Sequence, residues 1–389
     1  MTEPRSTGPG GDPPRGDPTD GDPTDGDPPD GDVPGGRPSD VGPLEADVED
    51  DPPLQGNGAG SLAPTSDPPG VGPPAAGVFS LDRPASGLYL VAWLLTGLGL
   101  AVVFVGVIAS TAGGLLALAG FTSATIGLAA ACGYQVVARR RQLPATAYRG
   151  PSPLLAFFLA AILSSSLAVV VGLAGLLGSA DGGGFLLGLA LVAAGYLIVI
   201  VFFVVRTEAL SWAEMGWPSG VGRAGRFIGD AAFGLIVTVP VVVPVLLGAG
   251  ILATLLDVQP TGRIPSVEGA LATAMVVLGA AVVAPIAEEV FFRGFALTAW
   301  QRDLGARQAL VRSALFFALV HIANVGGVTF ADAAREAVLQ VAVILPLGFV
   351  LGWVYQRHGI GASIAGHMGY NATLLVLAAM AGQFVNGPV

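Results

Sequence analysis

The sequence predicts an all-α fold: a polytopic membrane bundle of about nine transmembrane helices, preceded by a disordered N-terminal tail. Three observations carry this. Of the 389 residues, 52% are hydrophobic and only 12% charged, with a mean hydropathy of +0.69, values that suit a membrane protein better than a soluble domain of this length. From Gly87 onward, apolar runs long enough to cross a bilayer follow one another. The acidic balance, net charge -10, is confined to the tail, where roughly the first 80 residues hold 16 carboxylates and 3 arginines. The rest of the chain is slightly basic.

The tail, residues 1–80, is rich in Pro, Gly and Asp and carries the degenerate repeat GDPTDGDPTDGDPPDG. It lacks the apolar content to bury a core, so disorder is expected. Its clustered aspartates raise calcium, but the closing glutamate of an EF-hand loop is missing and a solvated linker is the better reading. No basic segment followed by an apolar stretch opens the chain, so no cleaved signal peptide is expected. The one cysteine, Cys132, lies in an apolar run and excludes an internal disulfide.

The spans are placed at Leu88–Ser110, Gly114–Ala138, Leu154–Gly178, Phe185–Val205, Phe227–Leu256, Leu271–Trp300, Gln308–Val325, Ala333–Tyr355 and Ile360–Phe384. The first two, within residues 81–150, are the weakest because the second is glycine-rich; residues 151–389 form the core. If the spans alternate, Arg83, Arg139, Arg140, Arg141, Arg149, Arg206, Arg223, Arg226, Arg302, Arg307, Arg312 and Arg357 fall on the tail's side. Only Arg263 and Arg335 fall opposite. The positive-inside rule then puts the N-terminus in the cytoplasm and the C-terminus outside. The basic residues are all arginine, and with the abundant Ala, Gly, Val and Pro this points to a bacterial cell membrane.

Ionisable groups inside spans are costly and usually face the bundle interior, where they carry function. Here they are Glu288, Glu289 and Arg293 in the sixth span, His321 in the seventh, and His367 with Asn371 in the ninth. Helix rise puts Glu288, His321 and Asn371 at similar depths, roughly 18–20 Å from the arginine-rich side, and His367 at roughly 12 Å. A cavity opening toward that side is expected. Glu289 and Arg293 stand one turn apart and can pair. Glu288, rotated by about 100°, is left to face other helices. The bland reading is a structural ion pair, packed histidines and a helix-bridging Asn; an acid, an imidazole and an amide brought to similar depth by three helices argue against it.

A partly desolvated carboxylate suits a general base acting on water. Imidazoles can hold that water or bind a metal, and an amide N–H can stabilise an oxyanion. The set fits hydrolysis of an amide. Ser164, Ser165 and Ser166 have no histidine near them in sequence, Cys132 has no basic partner, and neither HExxH nor a Walker loop occurs.

The segments EEVFFR, FALVH and HMGYN resemble the EExxxR, FxxxH and HxxxN motifs of the CAAX protease and bacteriocin-processing family of intramembrane proteases. The order matches, the motifs fall on membrane helices, and the resemblance covers roughly Arg206 to Phe384. SWAEMGWP, Ser211 to Pro218, resembles the polar lead-in to the family's core helices. The resemblance implies that Glu288 activates water with help from His321, that Glu289 and Arg293 order the site, and that His367 and Asn371 stabilise the oxyanion. It also implies either a Zn²⁺ ion on Glu288, His321 and His367 or a metal-free glutamate mechanism. The expected partners are the lipid bilayer and a membrane peptide or protein substrate, with no nucleic acid. The rival classes are an ion-coupled transporter and a non-catalytic scaffold or immunity factor. No second copy of AEEVFFR, of the kind transporter repeats would show, is present.

Overall fold

Apolar stretches of this length satisfy their backbone in lipid only as helices. The computed structural model describes residues 85–108, 113–175, 182–218, 224–258, 265, 267–325 and 329–380. The tail, 1–80, lies outside these residues, as do Arg83, Arg223, Arg263 and the predicted span ends at Ser110, Gly178 and Phe384. Among the described residues there are no strands. Among these described residues, eight helical stretches are long and apolar enough to cross a membrane. We label the first seven α1 (Ser86–Ile108), α2 (Gly113–Gln142), α3 (Pro153–Leu173), α4 (Gly182–Val205), α5 (Gly225–Leu256), α6 (Ala270–Leu304) and α7 (Ala306–Ala323).

The eighth stretch, Phe330–Met380, is interrupted at Gly359, where φ is 78° and ψ is -170°. Only glycine takes such a conformation cheaply. We therefore divide it into α8 (330–358) and α9 (360–380), which gives the nine spans the sequence predicts. Thr329 and Asp332 cap the start of α8 reciprocally: the Asp332 N–H donates to Thr329 Oγ1 at 3.1 Å and the Thr329 N–H to Asp332 Oδ2 at 3.2 Å.

The glycines that make α1 and α2 look weak are what joins them. Inward-facing small residues recur every seven positions, Ala92, Gly99 and Gly106 on α1 against Gly113, Gly120 and Gly127 on α2. A Cβ on Gly120 would lie 2.6 Å from the Val103 nitrogen and 2.7 Å from the Gly99 carbonyl. The backbones thus approach as closely as small-residue seams in membranes permit. Gly120→Val should overpack this seam and cost about 1–3 kcal/mol, read as a lowered unfolding temperature in detergent.

One end of the bundle collects the arginines. Arg140 donates to the Thr207 carbonyl, Arg139 pairs with Asp303 at 3.5 Å, and Arg302 reaches both the Ala209 carbonyl, at 3.2 Å, and Glu214. Asp230 meets His358 at 3.0 Å, and Gln356 donates to the Ala306 carbonyl at 2.9 Å. The C-terminal ends of α2, α4, α6 and α8 and the starts of α5 and α7 therefore share this end. The SWAEMGWP stretch lies here, folded on itself: the Ser211 N–H and hydroxyl donate to Glu214 Oε2 at 2.7 and 2.8 Å. With Arg302, these bonds hold the Glu214 carboxyl below its ordinary range.

Candidate active site

The site forms where α6, α7 and α9 meet. Helix α6 is not regular. Wide π-helical turns at Gly279–Val283 and Val290–Leu297 bracket the six residues Ala284–Glu289, a distortion often found at functional sites. The Ala280 carbonyl in the first wide turn accepts a hydrogen bond from Asn371 Nδ2 at 2.9 Å, tying α9 to α6.

Glu289 and Arg293 are both fully buried, with 0% exposure. They pair as their spacing predicts, Arg293 Nη1 to Glu289 Oε1 at 2.8 Å. Arg293 Nη2 donates to the Gly348 carbonyl of α8 at 3.3 Å, and its guanidinium lies 4.0 Å from the Phe317 ring centre. Among the described residues its Nε has no hydrogen-bond partner. Glu289 also receives His367 Nδ1 at 2.9 Å on Oε1 and the Ser363 hydroxyl on Oε2. One carboxylate thus links α6 to α9 while its arginine reaches α8 and α7.

Glu288 points elsewhere, as its rotation requires. Its Oε2 faces His321 Nε2 at 4.0 Å and His367 Nε2 at 3.8 Å. The opposite nitrogen of each ring is committed: His321 Nδ1 lies 2.6 Å from the Phe317 carbonyl and His367 Nδ1 lies 2.9 Å from Glu289. A carbonyl or carboxylate oxygen only accepts, so each Nδ1 carries a proton; in the neutral imidazole each Nε2 is then the acceptor that faces Glu288. Phe317 packs edge-on to both imidazoles, with ring centres 4.7 and 5.8 Å away.

A cavity of about 400 Å³ adjoins this centre, lined by Glu288, His321, Tyr196, Ser164, Ser165 and apolar residues of α3, α4, α6 and α7. Depth pointed to an opening at the arginine-rich end. The lining runs instead toward the other end of α7, Val320 and Ala323. Aromatic packing accounts for this: Phe316 is wedged against Phe157, Phe292 and Trp300, with ring centres 5.3, 5.3 and 5.6 Å apart, filling the arginine side. The serines of α3 line the cavity, but the Ser164 and Ser165 hydroxyls bond back to the Ala160 and Ala161 carbonyls.

The donor set Glu288, His321 and His367 has the chemistry of a metal site, each ring nitrogen being oriented by a second hydrogen bond. Its spacing does not fit one as it stands. Tetrahedral zinc with bonds of about 2.0–2.1 Å sets its ligands about 3.3 Å apart, closer than 3.8 and 4.0 Å. Among the described residues, no group of three or more His, Cys, Asp or Glu is arranged to hold a metal ion. The gap suits a water that donates one hydrogen to Glu288 and the other to one of the two imidazoles.

Ser363 was not among the predicted residues. It lies four before His367, as His367 lies four before Asn371, so one face of α9 carries all three. Ser363→Ala should leave Glu289 Oε2 short of a buried donor and cost about 1–3 kcal/mol, measured as a drop in thermal stability.

Fold and site together define a multi-span helical membrane protein with a buried ion pair supporting an acid–imidazole centre. Residues 270–373 match the family described as type II CAAX prenyl endopeptidase Rce1-like, so this segment is similar to the family that the three motifs resemble. All six predicted polar residues fall inside it. The match is narrower than the resemblance, covering about a quarter of the chain. No curated protein and no solved structure matches the chain.

Proposed function

We propose that the chain is an intramembrane endopeptidase that hydrolyses a peptide bond of a membrane-embedded or lipid-anchored substrate. The observation that carries this reading is the convergence of two imidazole Nε2 atoms and one carboxylate oxygen at the edge of a largely apolar cavity. A water there donates one hydrogen to Glu288 and the other to His321 or His367. Its oxygen attacks the carbonyl carbon while Glu288 takes a proton. Collapse of the tetrahedral intermediate breaks the C–N bond, and the proton passes from Glu288 to the departing amine. One water is consumed, leaving a carboxylic acid and an amine, which ionise to a carboxylate and an ammonium.

Asn371 has a second Nδ2 hydrogen beyond the one on Ala280 and is the donor proposed for the oxyanion. In the tautomer that Glu289 imposes, His367 holds water; donating to the oxyanion would need a proton on its Nε2. These steps use only the chain's own groups. By the positive-inside rule, the arginine-rich end faces the cytoplasm.

The test compares membrane peptides from cells carrying the natural chain and Glu288→Gln, with elemental analysis of both purified proteins. A peptide that accumulates only in the variant is the expected result. Identical profiles would overturn the reading in favour of a transporter or scaffold.

A further inference from the structure

We propose a binding site for an anionic phospholipid, separate from the Glu288 cavity, in a groove between the start of α7, the end of α6 and α3. The groove has a volume of about 790 Å³ and is lined by Leu154, Trp300, Leu304, Phe316 and the outward face of α7. That face changes character along the helix. Arg307, Gln308 and Arg312 occupy its first two turns, and Val311, Leu315 and Leu319 continue it toward the bilayer centre. All six are exposed.

Charge complementarity selects the occupant. Among the described residues neither Arg307 nor Arg312 makes an ion pair, whereas Arg139, Arg293, Arg302 and Arg335 each have a carboxylate. Arg312 is instead directed over the Trp300 ring, 5.8 Å from its centre, which holds the guanidinium at the groove. A phosphodiester bridging the two arginines would meet both unpaired charges. An acyl chain would then run along Val311, Leu315 and Leu319, a path of roughly 12 Å at 1.5 Å per residue. Snorkelling of isolated arginines explains their reaching water; it does not explain a concave apolar channel beneath them. Phe316 is shared with the aromatic layer that walls the catalytic cavity, so an occupant here would also brace that wall.

The site is tested with the full-length protein extracted from vesicles of equal dioleoyl phosphatidylglycerol and dioleoyl phosphatidylcholine, by native mass spectrometry of retained lipid. Selective retention of phosphatidylglycerol is expected, reduced about tenfold or more in Arg307→Gln/Arg312→Gln. Arg357→Gln, an exposed arginine elsewhere at the same end, should retain it. Leu315→Trp should also reduce retention by filling the channel. Equal retention of both lipids, unchanged retention in the double variant, or equal loss in Arg357→Gln would overturn the proposal. Unchanged retention in Leu315→Trp would do so too, since an ordinary boundary lipid is indifferent to the channel. The readout is independent of peptidase activity.

Discussion

Glu288→Gln should lower the peptidase rate by about 10²–10⁴-fold while leaving the unfolding temperature close to that of the natural chain. The magnitude is that of losing a positioned general base. The separation of the two readouts follows from geometry. Glu288 is partly exposed to the cavity and faces its histidine nitrogens across 3.8 and 4.0 Å, without a short hydrogen bond that holds the fold. An amide of equal size fits the same space and cannot take the proton. His321→Gln should reduce the rate less, because His367 Nε2 still holds the water. The check is turnover of an accumulating membrane peptide in proteoliposomes beside thermal unfolding in detergent. A variant as active as the natural chain would remove Glu288 from the chemistry.

Much of this arrangement was legible in the sequence because membrane burial exaggerates the signal of any polar side chain. The Glu289–Arg293 pair and the separate direction of Glu288 follow from 3.6 residues per turn, and the structure places both as that period requires. The joint at Gly359 was visible as the short polar break in YQRHGIG, which separated the last two spans. The π-helical turns around Ala284–Glu289 were not visible. They depend on how α6 packs against its neighbours, and nothing in GAAVV or VFFRGFAL distinguishes them from ordinary helix. Ser363 was overlooked for another reason: serine is common in membrane helices, and only its i, i+4 relation to His367 marks it. The direction of the cavity was misjudged because depth along a helix says nothing about which side aromatic rings fill. Phe157, Phe292 and Phe316 come from three helices, and their meeting is a tertiary fact.

Glu289→Leu is expected to be the most destabilising single substitution in the site, by about 3–5 kcal/mol. It would strand the Arg293 guanidinium, fully buried, on the Gly348 carbonyl and the Phe317 ring alone. Arginine cannot shed its proton to escape. Ser363 and His367 would lose their acceptor at the same time. Arg293→Met should cost less, since the carboxylate left behind keeps two donors and, unlike the guanidinium, can be neutralised by a proton. The double variant Glu289→Leu/Arg293→Met removes both charges and should recover much of the loss, as replacing a buried pair by apolar groups of similar volume often does. Its activity should nevertheless stay low, because His367 Nδ1 would then lack the carboxylate that fixes its tautomer. Unfolding midpoints of the three variants in one detergent, set beside their turnover, separate the two contributions. Recovery of stability without recovery of rate would mean that Glu289 orients His367 for chemistry as well as holding the helices together. Recovery of both would reduce it to a structural pair.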